Sequence, residues 1–234
     1  ATVQEMWQAA NMGFGLVLLL NQGAIDAIHH HGSDEQKATW LPRMISGEWT
    51  GTMNLTEPQA GSDARGIRTV AVQDGDHYVI NGGKCWTSRG KVGEIFLVNV
   101  RFGADPAAEK GLIIVERGTP GFEIGRVEPL MGHRGSPSTE LVFRDCRVPV
   151  ANRMLGGRMD KSLVSMAFSR CCNSAMGIGA AQRVAVTLDR IGWPEILATL
   201  SGDDTIFVAT ESANQQRRLR SRLRQHLTLK KASP

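Results

Sequence analysis

Long hydrophobic runs are the first thing this 234-residue sequence lacks. The longest, residues 14–20, is interrupted by Gly15 and falls far short of the roughly 20 residues a membrane helix needs. The N-terminus has no basic region followed by an apolar block and a cleavage site, so no secretory leader is expected. The four cysteines, Cys85, Cys146, Cys171 and Cys172, show no CxxC or other ligand spacing and read as reduced thiols in a cytoplasmic protein. No G-x-G-x-x-G follows a strand-like run, and no internal repeat is present. Acid is missing from one stretch: between residues 217 and 231 stand Arg217, Arg218, Arg220, Arg222, Arg224, Lys230 and Lys231 without a carboxylate. Such a tail attracts nucleic acid or anionic membrane, or it is a solvated helix face. It lacks the interleaved aromatics that stack on single strands, and neither nucleic acid nor membrane is expected as a partner.

What is present is ordinary globular material, 41% apolar and 21% charged, with a net charge of +4. The chain opens as helix, with Met6, Ala9, Ala10, Gly13, Leu16, Val17 and Leu20 recurring at three- and four-residue intervals. A second helical piece covers residues 23–31 and stops at Gly32. Ser33 then caps a third helix, with Gln36 three positions on as in a capping box, and that helix ends at Ser46-Gly47. His29, His30 and His31 are consecutive, so they do not share a helix face, and no metal site is expected there. From residue 50 to 149 the pattern turns to short Val- and Ile-rich strands, predicted at 51–55, 68–73, 77–81, 95–101, 112–116, 122–124 and 140–144. Turn signals separate them, as in a barrel or sandwich. Helix returns after Val148-Pro149, with Leu163, Ala167, Cys171, Ser174, Ala175 and Ile178 on one face of a helix predicted over 159–188. Beyond Ile191 the pattern deteriorates at Trp193-Pro194, and residues 200–204 read as a turn.

The stretch 53–63 is the richest in chemistry. Met53 and Leu55 alternate with Asn54 and Thr56 as in a half-buried strand, and Pro58, Gly61 and Asp63 then break it. It brings the hydroxyls of Thr56 and Ser62 and several backbone N–H groups to one edge, which suits a polar planar ring or a phosphate. It is equally the composition of a plain turn.

Four blocks in order carry a resemblance. Leu55-Thr56-Glu57-Pro58-Gln59-Ala60-Gly61-Ser62-Asp63 resembles a signature of the acyl-CoA dehydrogenases. Tyr78-Val79-Ile80-Asn81-Gly82-Gly83-Lys84-Cys85-Trp86-Thr87-Ser88-Arg89-Gly90 is similar to the second, and residues 132–143 followed by Val148-Pro149 to the third. His31-Gly32-Ser33-Asp34-Glu35-Gln36-Lys37 with Leu41-Pro42 fits the helix leading into the barrel. The resemblance runs from about Met6 to Ala185. It implies an α+β fold: a helical N-terminal segment (1–49), a middle β-barrel (50–150), an incomplete C-terminal helical bundle (151–190) and then an atypical basic tail (191–234).

The same resemblance implies FAD, with Thr56 and Ser88 as hydroxyls at the ring's polar edge and Trp86 lying beside the ring. Thr87 and the backbone around Met53 and Leu55 supply the remaining ring contacts. Ser62 and Arg170 are the implied acyl-CoA contacts, Ser62 near the CoA portion or the cofactor's phosphates. The implied reaction is α,β-desaturation of an acyl-CoA thioester, as in fatty-acid β-oxidation, with electron-transfer flavoprotein or another acceptor as partner. A complete bundle would imply a homo-oligomer. The departure lies at the base. In some members a glutamate immediately precedes an arginine on the first bundle helix; with Arg170 on that arginine, Ser169 takes the glutamate's place and Ala167 that of a nearby aspartate. Glu195 and Glu211 have no family context, so no catalytic residue is identified. The alternative is a non-catalytic flavin- or acyl-CoA-binding relative acting through association. Resemblance stops past Leu188, which together with the tail's unlike composition implies truncation with a foreign or frame-shifted C-terminus.

Overall fold

The computed structural model describes residues 2–130, 135–158, 177–179, 181, 184–201 and 206–229. Its opening helical pattern divides at Asn11, a poor helix former, into α1 (Thr2–Ala10) and α2 (Met12–His31). The predicted break between residues 20 and 23 is absent, because α2 runs through both Gly15 and Gly23. Helix α3 (Asp34–Ser46) starts and stops where the sequence places it. Ser33 Oγ accepts from Gln36 N, Gln36 Oε1 accepts from Ser33 N, and Gly47 closes the helix at φ +81°.

The chain forms two compact units, Gly13–Cys171 and, separately, Ala1–Met12 with Cys172–Pro234. In the first unit eight strands make one sheet: β1 (Gly51–Asn54), β2 (Val70–Asp74), β3 (His77–Ser88), β4 (Ile95–Phe102), β5 (Lys110–Glu116), β6 (Phe122–Val127), β7 (Ser138–Pro149) and β8 (Arg153–Arg158). The order is β6-β7-β3-β2-β4-β5-β8, with β1 pairing in parallel with β4. Strand β8 falls in the 151–190 segment that the resemblance gave to the helical bundle, ahead of the helix predicted over 159–188; the Gly156-Gly157 pair hid it, and edge pairing with β5 supplies its order.

Two cores flank the sheet. Phe96, Val98 and Val100 of β4 face one, while Ile95 and Leu97 face the other. On β5, Ile113 and Val115 divide from Leu112 and Ile114 in the same way, which is why both strands read as continuous apolar runs. The first core is closed by curvature. Phe122 of β6 meets Phe96 edge-on at 4.7 Å and stacks on Phe143 at 5.0 Å, although β7, β3 and β2 lie between β6 and β4 in the sheet. The second core takes Ala24, Ala27 and Ile28 of α2 with Trp40, Leu41 and Met44 of α3. By length and composition α2 could cross a membrane; a third of its most apolar stretch is buried inside the structure.

The second unit contains α1, a helical stretch at 184–191, the antiparallel pair β9 (Ala198–Ser201) and β10 (Ile206–Ala209), and α4 (Ala213–Leu229). Of the turn predicted over 200–204, Leu200 and Ser201 belong to β9 and residues 202–204 lie outside the described residues; the two strands were not anticipated. Most of the helix predicted over 159–188 lies outside the described residues. Helix α4 carries the five arginines of the basic run, while Lys230 and Lys231 lie outside the described residues; Leu219 is buried, and Arg222 sits 3.3 Å from Glu195 and over the Trp193 ring.

Candidate functional site

The end of β3 is irregular, and that irregularity makes the site. Lys84 pairs with Leu141 and Thr87 with Thr139, so three steps on β3 match two on β7. The extra residue is a bulge. At the bulge Trp86 takes left-handed backbone, φ +57°, and its ring stands 56% exposed. An apolar side chain of that size on the surface, in a conformation that bulky residues avoid, points to a site rather than to core packing.

The stretch 52–56 runs beside this bulge. Thr52 Oγ1 donates to Ser88 O at 3.1 Å, and Cys85 N donates to Thr56 O at 3.0 Å. Met53, Leu55, Thr56 and Ser88 are half-buried along the shared edge. Among the described residues neither the Thr56 nor the Ser88 hydroxyl makes a hydrogen bond. Thr87 is placed differently: it is buried, and among the described residues its Oγ1 is shut from solvent without a partner, while its carbonyl accepts from Gly90 N at 3.3 Å and Thr139 Oγ1 at 3.5 Å. Ser62 is exposed, just past the turn that Glu57 and Ala60 close with paired backbone bonds. Arg170, Ser169 and Ala167 lie outside the described residues.

Beneath the edge lies a pair of charges that sequence reasoning did not single out. Lys84 Nζ is 2.6 Å from Glu57 Oε1, with side chains 0% and 3% exposed. Lys84 Nζ also donates to Leu55 O at 3.1 Å. Glu57 accepts in addition from Thr69 N at 3.1 Å, Arg68 N at 2.7 Å and Gln59 Nε2 at 2.6 Å. Burial opposes the carboxylate charge, but the Lys84 and Thr69 bonds, the Lys84 charge and the Arg68 N–H outweigh it and hold the pKa at about 2. Both residues sit in the motif blocks. Nothing in a spacing of 27 positions says that they pair.

Cys85 is half-buried, its Sγ 3.8 Å from Thr56 O, and burial followed by the charges of Glu140, Glu57 and Glu128 pushes its thiol up. It is a poor nucleophile there. Among the described residues no group of three His, Cys, Asp or Glu is placed to hold a metal. In the second unit Glu195 is held by Arg222, and Glu211 exchanges bonds with Gln215 at the start of α4.

Profiles of the acyl-CoA dehydrogenase N-terminal and middle domains match residues 1–48 and 52–146. Another, for the C-terminal domain of arginine repressor, matches residues 177–225. The chain is 41% identical over 176 residues to acryloyl-CoA reductase (NADH) of Anaerotignum propionicum, covering 72% of this chain and 43% of that protein. Among solved structures it superposes on a chain from a study of electron transferring flavoprotein of Acidaminococcus fermentans, with TM-score 0.75, 30% identity and coverage of 80% and 50%. It likewise superposes on a glutaryl-CoA dehydrogenase of Mycobacterium smegmatis in complex with FADH2, with TM-score 0.74, 28% identity and coverage of 80% and 48%. The chain thus spans half or less of the length of each of these proteins. The exposed indole, the two unspent hydroxyls and the half-buried Met53 and Leu55 are the groups that a flat ring with one polar edge requires, and they fit a flavin.

Proposed function

The chain belongs to the acyl-CoA dehydrogenase family through residues 1–48 and 52–146, and on that footing we propose that it carries one wall of an FAD site serving α,β-desaturation of an acyl-CoA. The observation that carries this reading is the adjacency of 53–56 and 86–88, secured by the Thr52–Ser88 and Cys85–Thr56 bonds. A bound FAD would supply the acceptor for the hydride that leaves the β-carbon of the thioester. The Thr56 and Ser88 hydroxyls would hold the ring's polar edge by hydrogen bonds, where reduction places charge. Trp86 would lie beside the ring, where its exposed indole would offer an apolar surface and exclude water. Ser62, exposed on the adjoining loop, is available to a phosphate or to the CoA portion of the substrate. Electron transferring flavoprotein is the proposed acceptor.

The test is to purify the chain with FAD, record its visible spectrum and add an acyl-CoA without oxygen. A bound flavin whose absorbance bleaches supports desaturation. A colourless protein that cannot be reconstituted overturns the cofactor site, and bound flavin that never bleaches supports the non-catalytic alternative.

A second reading belongs to the other unit. The match of residues 177–225 to the C-terminal domain of arginine repressor favours an arginine-responsive module there, in a segment that neither acyl-CoA dehydrogenase profile reaches. L-arginine is then expected to raise the thermal midpoint of that unit. An unchanged midpoint under saturating arginine removes this reading.

A further inference from the structure

We propose that the buried Glu57–Lys84 ion pair is a positioning device that sets the two stretches of the flavin wall, 53–56 and 86–88, against each other. The inference rests on the proposed reading of those stretches as an FAD wall.

Neither charge reaches that edge; both are almost wholly buried beneath it. Their bonds reach the segments that form it. Lys84 stands two residues before Trp86, at the last regular pairing before the bulge. Its Nζ holds Leu55 O at 3.1 Å, directly before Thr56. The next residue, Cys85, then donates its N–H to Thr56 O. From the other side Glu57 receives Lys84, and its remaining lone pairs take the backbone N–H groups of Arg68 and Thr69. One pair of side chains therefore fixes the 55–57 segment, the approach to β2 and the β3 bulge together.

A buried ion pair is a weak source of stability, because desolvating both charges cancels most of their attraction. An apolar pair of similar volume would hold the sheet together as well. It could not specify where the Leu55 carbonyl or the Arg68 and Thr69 amides sit, since apolar contacts have no direction. Pinning a site's first contacts by directed bonds from beneath is what a supporting layer does.

The test compares wild type with Glu57→Gln/Lys84→Met, which removes both charges without leaving one of them buried alone. Glu57→Asp is the milder companion, keeping both charges while shortening the arm that reaches Lys84 and the Arg68 and Thr69 amides, should the double variant fold poorly. Amide hydrogen exchange is read at Cys85 and Arg68, with Val98 of β4 as the internal reference. The expected result is exchange faster by about tenfold or more at Cys85 and Arg68 with Val98 still protected, as local opening demands. In the FAD-loaded proteins the dissociation constant is expected to rise by about tenfold or more, with a shifted flavin absorption band. Unchanged exchange at Cys85 in the folded variants overturns the proposal, as does a uniform rise that includes Val98, the mark of a merely structural role. If wild type takes up no FAD, the cofactor reading fails while the exchange comparison still decides the positioning role.

Discussion

Trp86 and Arg89 both sit in left-handed backbone, at φ +57° and +62°. Trp86 gains an exposed ring from this conformation, whereas Arg89 gains nothing visible. Its side chain makes no hydrogen bond or ion pair among the described residues, and burial pulls its guanidinium down from the ordinary value. Asparagine tolerates that conformation far better. Arg89→Asn is expected to raise stability by about 0.5–1 kcal/mol, read from the midpoint of urea unfolding. Trp86→Ala is expected to change stability by less than about 0.5 kcal/mol, because the ring is largely in solvent, yet to abolish flavin uptake.

Glu57 sets a pH dependence at the same scale. Its carboxyl, ordinarily at 4.5, is held at about 2 in the folded chain, so between those values the unfolded chain binds more protons than the folded one. Its contribution is complete above pH 4.5 and is lost as pH falls towards about 2. Urea midpoints measured across that window should therefore fall with acid in wild type. A slope just as steep in Glu57→Gln would remove Glu57 as its source.

At the scale of elements, α3 is fastened at its first turn. Gln36 closes the capping box with Ser33, and its Nε2 also donates to Ala151 O at 2.6 Å and Arg153 O at 3.0 Å, tying the helix to the entry of β8. Ser33→Ala should cost about 1 kcal/mol through the lost cap. Circular dichroism melts of Ser33→Ala and Gln36→Ala test this, with the larger loss expected for Gln36→Ala because two carbonyls lose their partner as well. The turn after β3 is tight in another way. A Cβ at Gly90 would collide with Thr139 Oγ1 and press on the Thr87 methyl at 3.3 Å. Gly90→Ala is therefore expected to lose about 1–3 kcal/mol and to weaken FAD binding by displacing residues 86–88.

The first unit as a whole depends on the curl of its sheet, and Phe122 closes that curl between Phe96 and Phe143. Phe122→Ala should cost about 3–5 kcal/mol, measured by chemical unfolding. Helices α2 and α3 cover the opposite face of β4 and β5, so the same mutation should leave the Trp40 environment intact in the folded fraction. In the second unit, residues 177–225 resemble a profile from another family, and beyond Leu188, where the bundle pattern fades, the strand pair β9 and β10 follows.

Period and punctuation were enough to determine α3 with its caps and the cores of β1 to β7, since alternation, Ser33, Gln36 and Gly47 act over a few residues. The order of the motif blocks likewise singled out Thr56, Trp86 and Ser88, whose segments lie side by side through the Cys85–Thr56 backbone bond. Strands β8 to β10 were not legible, because four- to six-residue strands with glycine or without clear alternation acquire their order from a neighbour. The Glu57–Lys84 pair, the outward turn of Trp86 and the burial of Thr87 were decided only by tertiary structure. Each depends on register between segments distant in sequence. A one-residue bulge in β3 reverses which side chain faces solvent, and the local pattern does not carry that information.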